Sequence, residues 1–100
     1  MSHRLLQQVA VSLPVLFLKE KRAFIAYTPA LDLSASGSTT AKAQENFKTT
    51  LHLFLEELMA AGTLERVLKE LGWSKQEHQW QPPVEVQKIG RVPFRMPVPA

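Results

Sequence analysis

The chain has no cysteine, one aspartate, one tyrosine and four glycines in 100 residues. Without cysteine there can be no disulfide, no thiolate zinc site and no cysteine nucleophile. No run is long and apolar enough to span a bilayer. Near the start, Arg4 is followed by Leu5-Leu6-Gln7-Gln8, too polar for the apolar heart of a signal peptide. A cytoplasmic protein in a reducing compartment is the expectation.

Hydrophobic residues make up 45% of the chain, which is ordinary for one globular domain. A domain this small buries a limited share of its surface, so a partner or a second copy is expected. The formal net charge is +3, unevenly spread. Residues 1–31 and 72–100 are net basic, and residues 32–71 are net acidic. That distribution suits a basic partner on the acidic side or nucleic acid at the basic ends.

Val9–Lys19 is rich in valine, leucine and phenylalanine, with Pro14 near its middle. Proline lacks the ladder donor, so this reads as an edge strand or as two short pieces joined at Pro14. A polar turn, Glu20-Lys21-Arg22, leads into Ala23–Thr28, with Phe24 and Ala26 on one face and Ile25 and Tyr27 on the other. The pair reads as a hairpin. Pro29 ends regular pairing, and Leu31-Asp32-Leu33-Ser34 opens a third short strand that closes at Gly37.

From Thr40 to Ala61, the residues Ala43, Phe47, Leu51, Phe54, Leu55 and Leu58 recur at spacings of three and four. That stripe predicts an amphipathic helix lying on a sheet. Thr39 or Thr40 can cap its start and Gly62 can end it in a left-handed conformation. A shorter helix from Thr63 buries Leu64, Val67, Leu68 and Leu71 and stops at Gly72. Val84–Ile89 is expected to add a last strand. The tail from Gly90 to Ala100 holds Pro93, Pro97 and Pro99, which allow an extended arm but no helix.

The hairpin, Tyr27-x-Pro29-Ala30-Leu31-Asp32-Leu33-Ser34, Gly37-x-Thr39 and a helix of the form Ala43-x-x-Asn46-Phe47 together resemble the HicB family. Its members are the antitoxin halves of bacterial HicA–HicB toxin–antitoxin pairs. The likeness continues through Leu55-Glu56-Glu57-Leu58, Gly62-Thr63-Leu64-Glu65, Leu68-Lys69-Glu70-Leu71-Gly72-Trp73 and Trp80-Gln81-Pro82-Pro83. It covers roughly residues 12–86, and the combination is more specific than any single piece.

The resemblance implies an α+β domain over residues 1–89 with a partial ribonuclease-H-like fold. Its expected order is β-β-β-α-α-β, a small antiparallel sheet with the helices on one face. The implied activity is not enzymatic: the domain would bind a small basic mRNA-cleaving toxin of the HicA type and mask its catalytic surface. Tyr27, Pro29, Leu31, Asp32 and Ser34 are the expected toxin contacts. Two departures matter. The first turn of the long helix reads Thr40-Ala41-Lys42 where the family often has acidic residues. The segment beyond Pro83 is too short and proline-rich for a helix-turn-helix, so no recognisable DNA-binding domain is expected from residues 84–100.

Other candidates have plain structural readings. Metal-dependent ribonuclease-H chemistry needs several carboxylates around its ions, and Asp32 alone cannot supply them; it is expected to accept backbone hydrogen bonds at the bend. His52 falls between Lys48 and Glu56 on the solvent face, a surface pairing. His3 and His78 have no spacing that gathers metal ligands, and Ser34, Ser36 and Ser38 lack an activating histidine. No metal or cofactor is expected. Trp73 and Trp80 are expected to pin the loop after the second helix, and Phe24, Phe47 and Phe54 to fill the core.

Residues 90–100 are read as a separate arm that joins two copies, with Val92, Phe94, Met96 and Val98 as dimer contacts. An alternative function class remains, a nucleic-acid-binding or regulatory module. In that reading Lys19, Lys21 and Arg22, with Lys88, Arg91 and Arg95, would contact phosphates. A HicB-like protein without a toxin would share the same sequence features.

Overall fold

The computed structural model describes residues 11–77 and 79–99. Val9 and Ala10 of the first expected strand, together with His3 and His78, lie outside the described residues. The elements run β1 (Leu16–Glu20), β2 (Ala23–Thr28), β3 (Leu33–Gly37), α1 (Thr40–Ala61), α2 (Leu64–Glu70), β4 (Ser74–Gln76) and β5 (Gln79–Gln81). The first three strands form an antiparallel sheet in the order β1-β2-β3, and the last two form a separate hairpin.

Of the expected Val9–Lys19 run, only Leu16–Glu20 joins the sheet, as its edge strand beside β2, and residues 11–15 carry no strand. Glu20 pairs with Ala23, so Lys21 and Arg22 alone make the turn. Lys21 takes a φ of 52° there, a left-handed conformation that suits a two-residue hairpin loop. Between β2 and β3 the chain reverses over Pro29–Asp32. Thr28, fully buried, accepts the Ala30 amide on its hydroxyl at 3.3 Å.

Gly37 ends β3 directly beneath the start of α1. A methyl group there would come within 2.5 Å of the Ala43 nitrogen and 2.7 Å of the Lys42 carbonyl carbon. Only glycine lets the helix begin this close to the sheet. Thr39 caps α1, its hydroxyl accepting the Lys42 amide at 3.0 Å. At the other end Gly62 has a φ of 71°, with the Thr63 amide donating back to Leu58.

α1 packs on one face of the sheet, and α2 packs against α1 and the bend between β2 and β3. Ala43 and Phe47 of α1 are buried on Ala26 of β2, flanked by Phe24, Leu33, Ala35 and Leu51. A second cluster gathers Ala30 and Leu31 of the bend with Leu68 of α2 and Trp73, against Phe54, Leu64 and Trp80. Of the expected α1 stripe, Ala43 and Phe47 are buried and Leu51, Phe54, Leu55 and Leu58 are half-buried; Phe24 of β2 is half-buried as well.

The expectation for the segment after α2 needs correction. Val84–Ile89 forms no strand; the strands are the polar β4 and β5, paired Ser74↔Gln81, Lys75↔Trp80 and Gln76↔Gln79. Glu77 takes a φ of 50° to close that hairpin. Pro82-Pro83 comes at once after it and removes two donors, and Val84–Ile89 pairs with no strand among the described residues. From Pro83 to Pro99 the chain is exposed and without regular structure. This segment stretches the molecule to 69 × 29 × 23 Å. Among the described residues, no helix is long and apolar enough to cross a membrane.

Candidate interaction surface

Strand alternation determines what the other side of the sheet presents. Ala26 faces the helices, so its neighbours Ile25 and Tyr27 point away from them. Cross-strand pairing extends this into two rows, Leu16–Tyr27–Ser34 and Leu18–Ile25–Ser36. Leu18 is half exposed, and Leu16, Ile25 and Tyr27 are half-buried. The result is a shallow surface, aliphatic along β1 and β2 and hydroxyl-bearing along β3.

One polar pair marks its border. Tyr27 donates its phenol to Asp32 Oδ1 at 3.0 Å. Asp32 reaches this position from a left-handed backbone, φ 51°, which aspartate tolerates better than most side chains. The phenol's hydrogen bond to Asp32, with partial burial and the nearby negative charge, raises the Tyr27 pKa above the usual phenol value. Asp32 was expected to accept backbone amides; its partner is instead the phenol.

Of the five residues expected to meet a partner, Tyr27 and Ser34 pair across β2 and β3, and Asp32 joins them through the phenol. Ser34 and Asp32 are exposed, and Pro29 is half-buried on the same bend. Leu31 is 6% exposed and packs with Leu68 and Trp73, so its side chain belongs to the core. Leu16 and Leu18 were missed, although alternation within the hairpin carries the signal for both.

The helical side is organised differently. Its charges are largely paired on the surface: Lys42 with Glu45, His52 with Glu56, and Arg66 with Glu70. Glu65 accepts from both Lys69 and Lys75, and the second of these ties α2 to β4. Lys42 holds the Glu45 carboxyl below the usual range, and Lys75 followed by Lys69 does the same for Glu65. Exposed pairs of this kind add little stability. Lys75 also lies 5.7 Å from the Trp80 ring.

An apolar cavity of about 250 Å³ lies between Leu31, Leu51, Leu55, Leu68, Trp73 and Trp80. It carries no convergent polar groups that would orient a small molecule. Among the described residues, no group of three or more His, Asp or Glu side chains could hold a metal ion. Along the exposed segment after Pro83, no ion pair among the described residues includes Lys88, Arg91 or Arg95.

Comparison with protein-family models, curated proteins and solved structures finds no match.

Proposed function

We propose that this chain is an interaction protein of the HicB antitoxin type, built on a partial ribonuclease-H-like fold. It binds a small basic ribonuclease toxin and occludes the toxin's catalytic surface. The observation that carries this reading is the open sheet face, with its aliphatic rows bordered by the Tyr27–Asp32 pair. A flat apolar centre with a polar rim is the anatomy of a protein contact and not of a catalytic cleft. The Asp32 carboxylate at that border suits a basic partner.

The test is whether an adjacent reading frame encodes a small basic protein, and whether that protein binds this chain directly in calorimetry. A one-to-one complex is expected, and Asp32→Arg should weaken it roughly tenfold or more by placing like charge at the rim. No heat of binding, or an unchanged affinity in the variant, would contradict the proposal.

The exposed cations Lys88, Arg91 and Arg95 favour a second reading, in which the segment after Pro83 contacts nucleic-acid phosphates. Three such contacts would make log affinity fall with log salt at a slope of about −2 to −3.

A further inference from the structure

The proline positions in the arm obey a rule. In an extended strand, alternate residues direct both backbone polar groups to opposite edges. Pro93, Pro97 and Pro99 all fall on odd positions, so one edge of the arm retains only the Arg91 and Arg95 donors. Val92, Phe94, Met96 and Val98 fall on even positions and keep every N–H on the other edge. Each of Val92, Met96 and Val98 also precedes a proline, which holds it extended before any partner arrives. Were it to pair as a strand, the arm would therefore have one edge with every donor and one nearly silent edge poor in donors.

Its side chains are unpartnered in the single chain: Val92, Phe94, Met96 and Val98 are 68–84% exposed. The body of the protein offers a complementary feature. Among the described residues, β1 has one strand neighbour, β2, and its outer edge is open. Beside that edge a cleft of about 400 Å³ runs between β1 and α1, lined by Val15, Phe17, Ala26, Phe47 and Leu51. Phe17 is 46% exposed at its lip. The alternatives fit less well: β4–β5 is short and polar, and β3 ends under α1 with Asn46 bonded to the Ser36 carbonyl at 2.8 Å.

We propose that the arm of one copy pairs with the outer edge of β1 in a second copy, lowering Phe94 and Met96 into the cleft between β1 and α1. Every copy carries both the arm and the edge, so mutual exchange closes a two-fold dimer. The arm spans about 36 Å when extended, against about 17 Å for β1, so it is long enough to cover that edge. The silent edge then faces solvent and stops further strand addition, so assembly ends at two chains. This inference does not depend on the identity of any toxin.

The experiment measures the mass of the full chain by light scattering at micromolar concentration, for the native protein and three variants. The native chain is expected at twice the monomer mass. Val92→Pro combined with Met96→Pro removes two donors from the pairing edge while leaving apolar side chains, and should give monomers. Arg95→Pro removes a donor from the silent edge and should leave the dimer intact. Phe17→Lys puts a charge at the lip of the cleft on a half-exposed position and should also give monomers. A monomeric native chain would overturn the proposal. So would a dimer that survives either the paired prolines or Phe17→Lys, and so would a dimer lost in Arg95→Pro.

Discussion

The Trp73 indole donates to the Ala30 carbonyl at 2.9 Å, joining the bend after β2 to the chain that leaves α2 across 43 positions. Both residues are buried in one cluster with Leu31 and Leu68. The bend bearing Asp32 is thus held from beneath by the segment after the helices, and the surface above it rests on that support. Trp73→Phe keeps most of the packing and orphans a buried carbonyl, which costs about 1–3 kcal/mol. Urea unfolding should show a lower midpoint with an unchanged slope. A midpoint equal to that of the native chain would mean that the bond contributes nothing.

The close approach at Gly37 gives a sharper contrast between two glycines. Gly37→Ala drives a methyl into backbone atoms of α1, whereas at Gly62 the added atom meets open space and only the left-handed φ is strained. The second change should cost about 1–2 kcal/mol. The first should exceed it, because neither the end of β3 nor the start of α1 can yield cheaply. Thermal or urea unfolding of the two variants ranks them. The reverse order would contradict the packing described for the end of β3.

Tyr27 is the only tyrosine, so tyrosinate absorbance reports this one site. Its pKa should lie above the usual phenol value, and Asp32→Asn should lower it by removing the negative acceptor. A raised pKa in the folded state contributes stability that is fully present below the unfolded phenol pKa. That contribution is lost as pH rises through the folded value. A titration identical in the native chain and Asp32→Asn would mean that the phenol and carboxylate do not interact in solution.

A single aspartate and no metal-holding group among the described residues lead to an expectation about activity. Incubated with RNA or DNA and any divalent metal, the isolated chain should leave both intact. Cleavage that copurifies with the protein and disappears in Asp32→Ala would contradict this.

The parts of the fold most legible in the sequence are those set by near neighbours. The stripe through Ala43, Phe47 and Leu51, the Thr39 cap and the Gly62 stop together mark α1, because all three signals are local. The β4–β5 hairpin was not legible: Ser74, Lys75 and Gln76 have little strand character, and its turn uses Glu77 at positive φ in place of glycine or asparagine. Val84 and Val86 alternate as strand residues should, yet a strand also needs an edge to pair with, and that requirement is not local. At the surface, Tyr27, Asp32 and Ser34 were identifiable from the bend. The burial of Leu31 depends on Leu68 and Trp73, far along the chain.

Phe47 tests whether the α1 stripe bears the core load assigned to it. Phe47→Ala should cost about 3–5 kcal/mol, because the side chain is 4% exposed between Ala26 and Ala43. A loss near zero would mean that α1 does not pack on β2 in solution.

The central claim is that the open sheet face occludes a ribonuclease toxin, and one titration tests it most directly. RNA cleavage by a small basic toxin from an adjacent reading frame is monitored while the native chain is added. Cleavage should fall linearly and stop at one equivalent, and Asp32→Arg should require a large excess to reach the same end point. Cleavage that continues undiminished past several equivalents of native chain would contradict the claim.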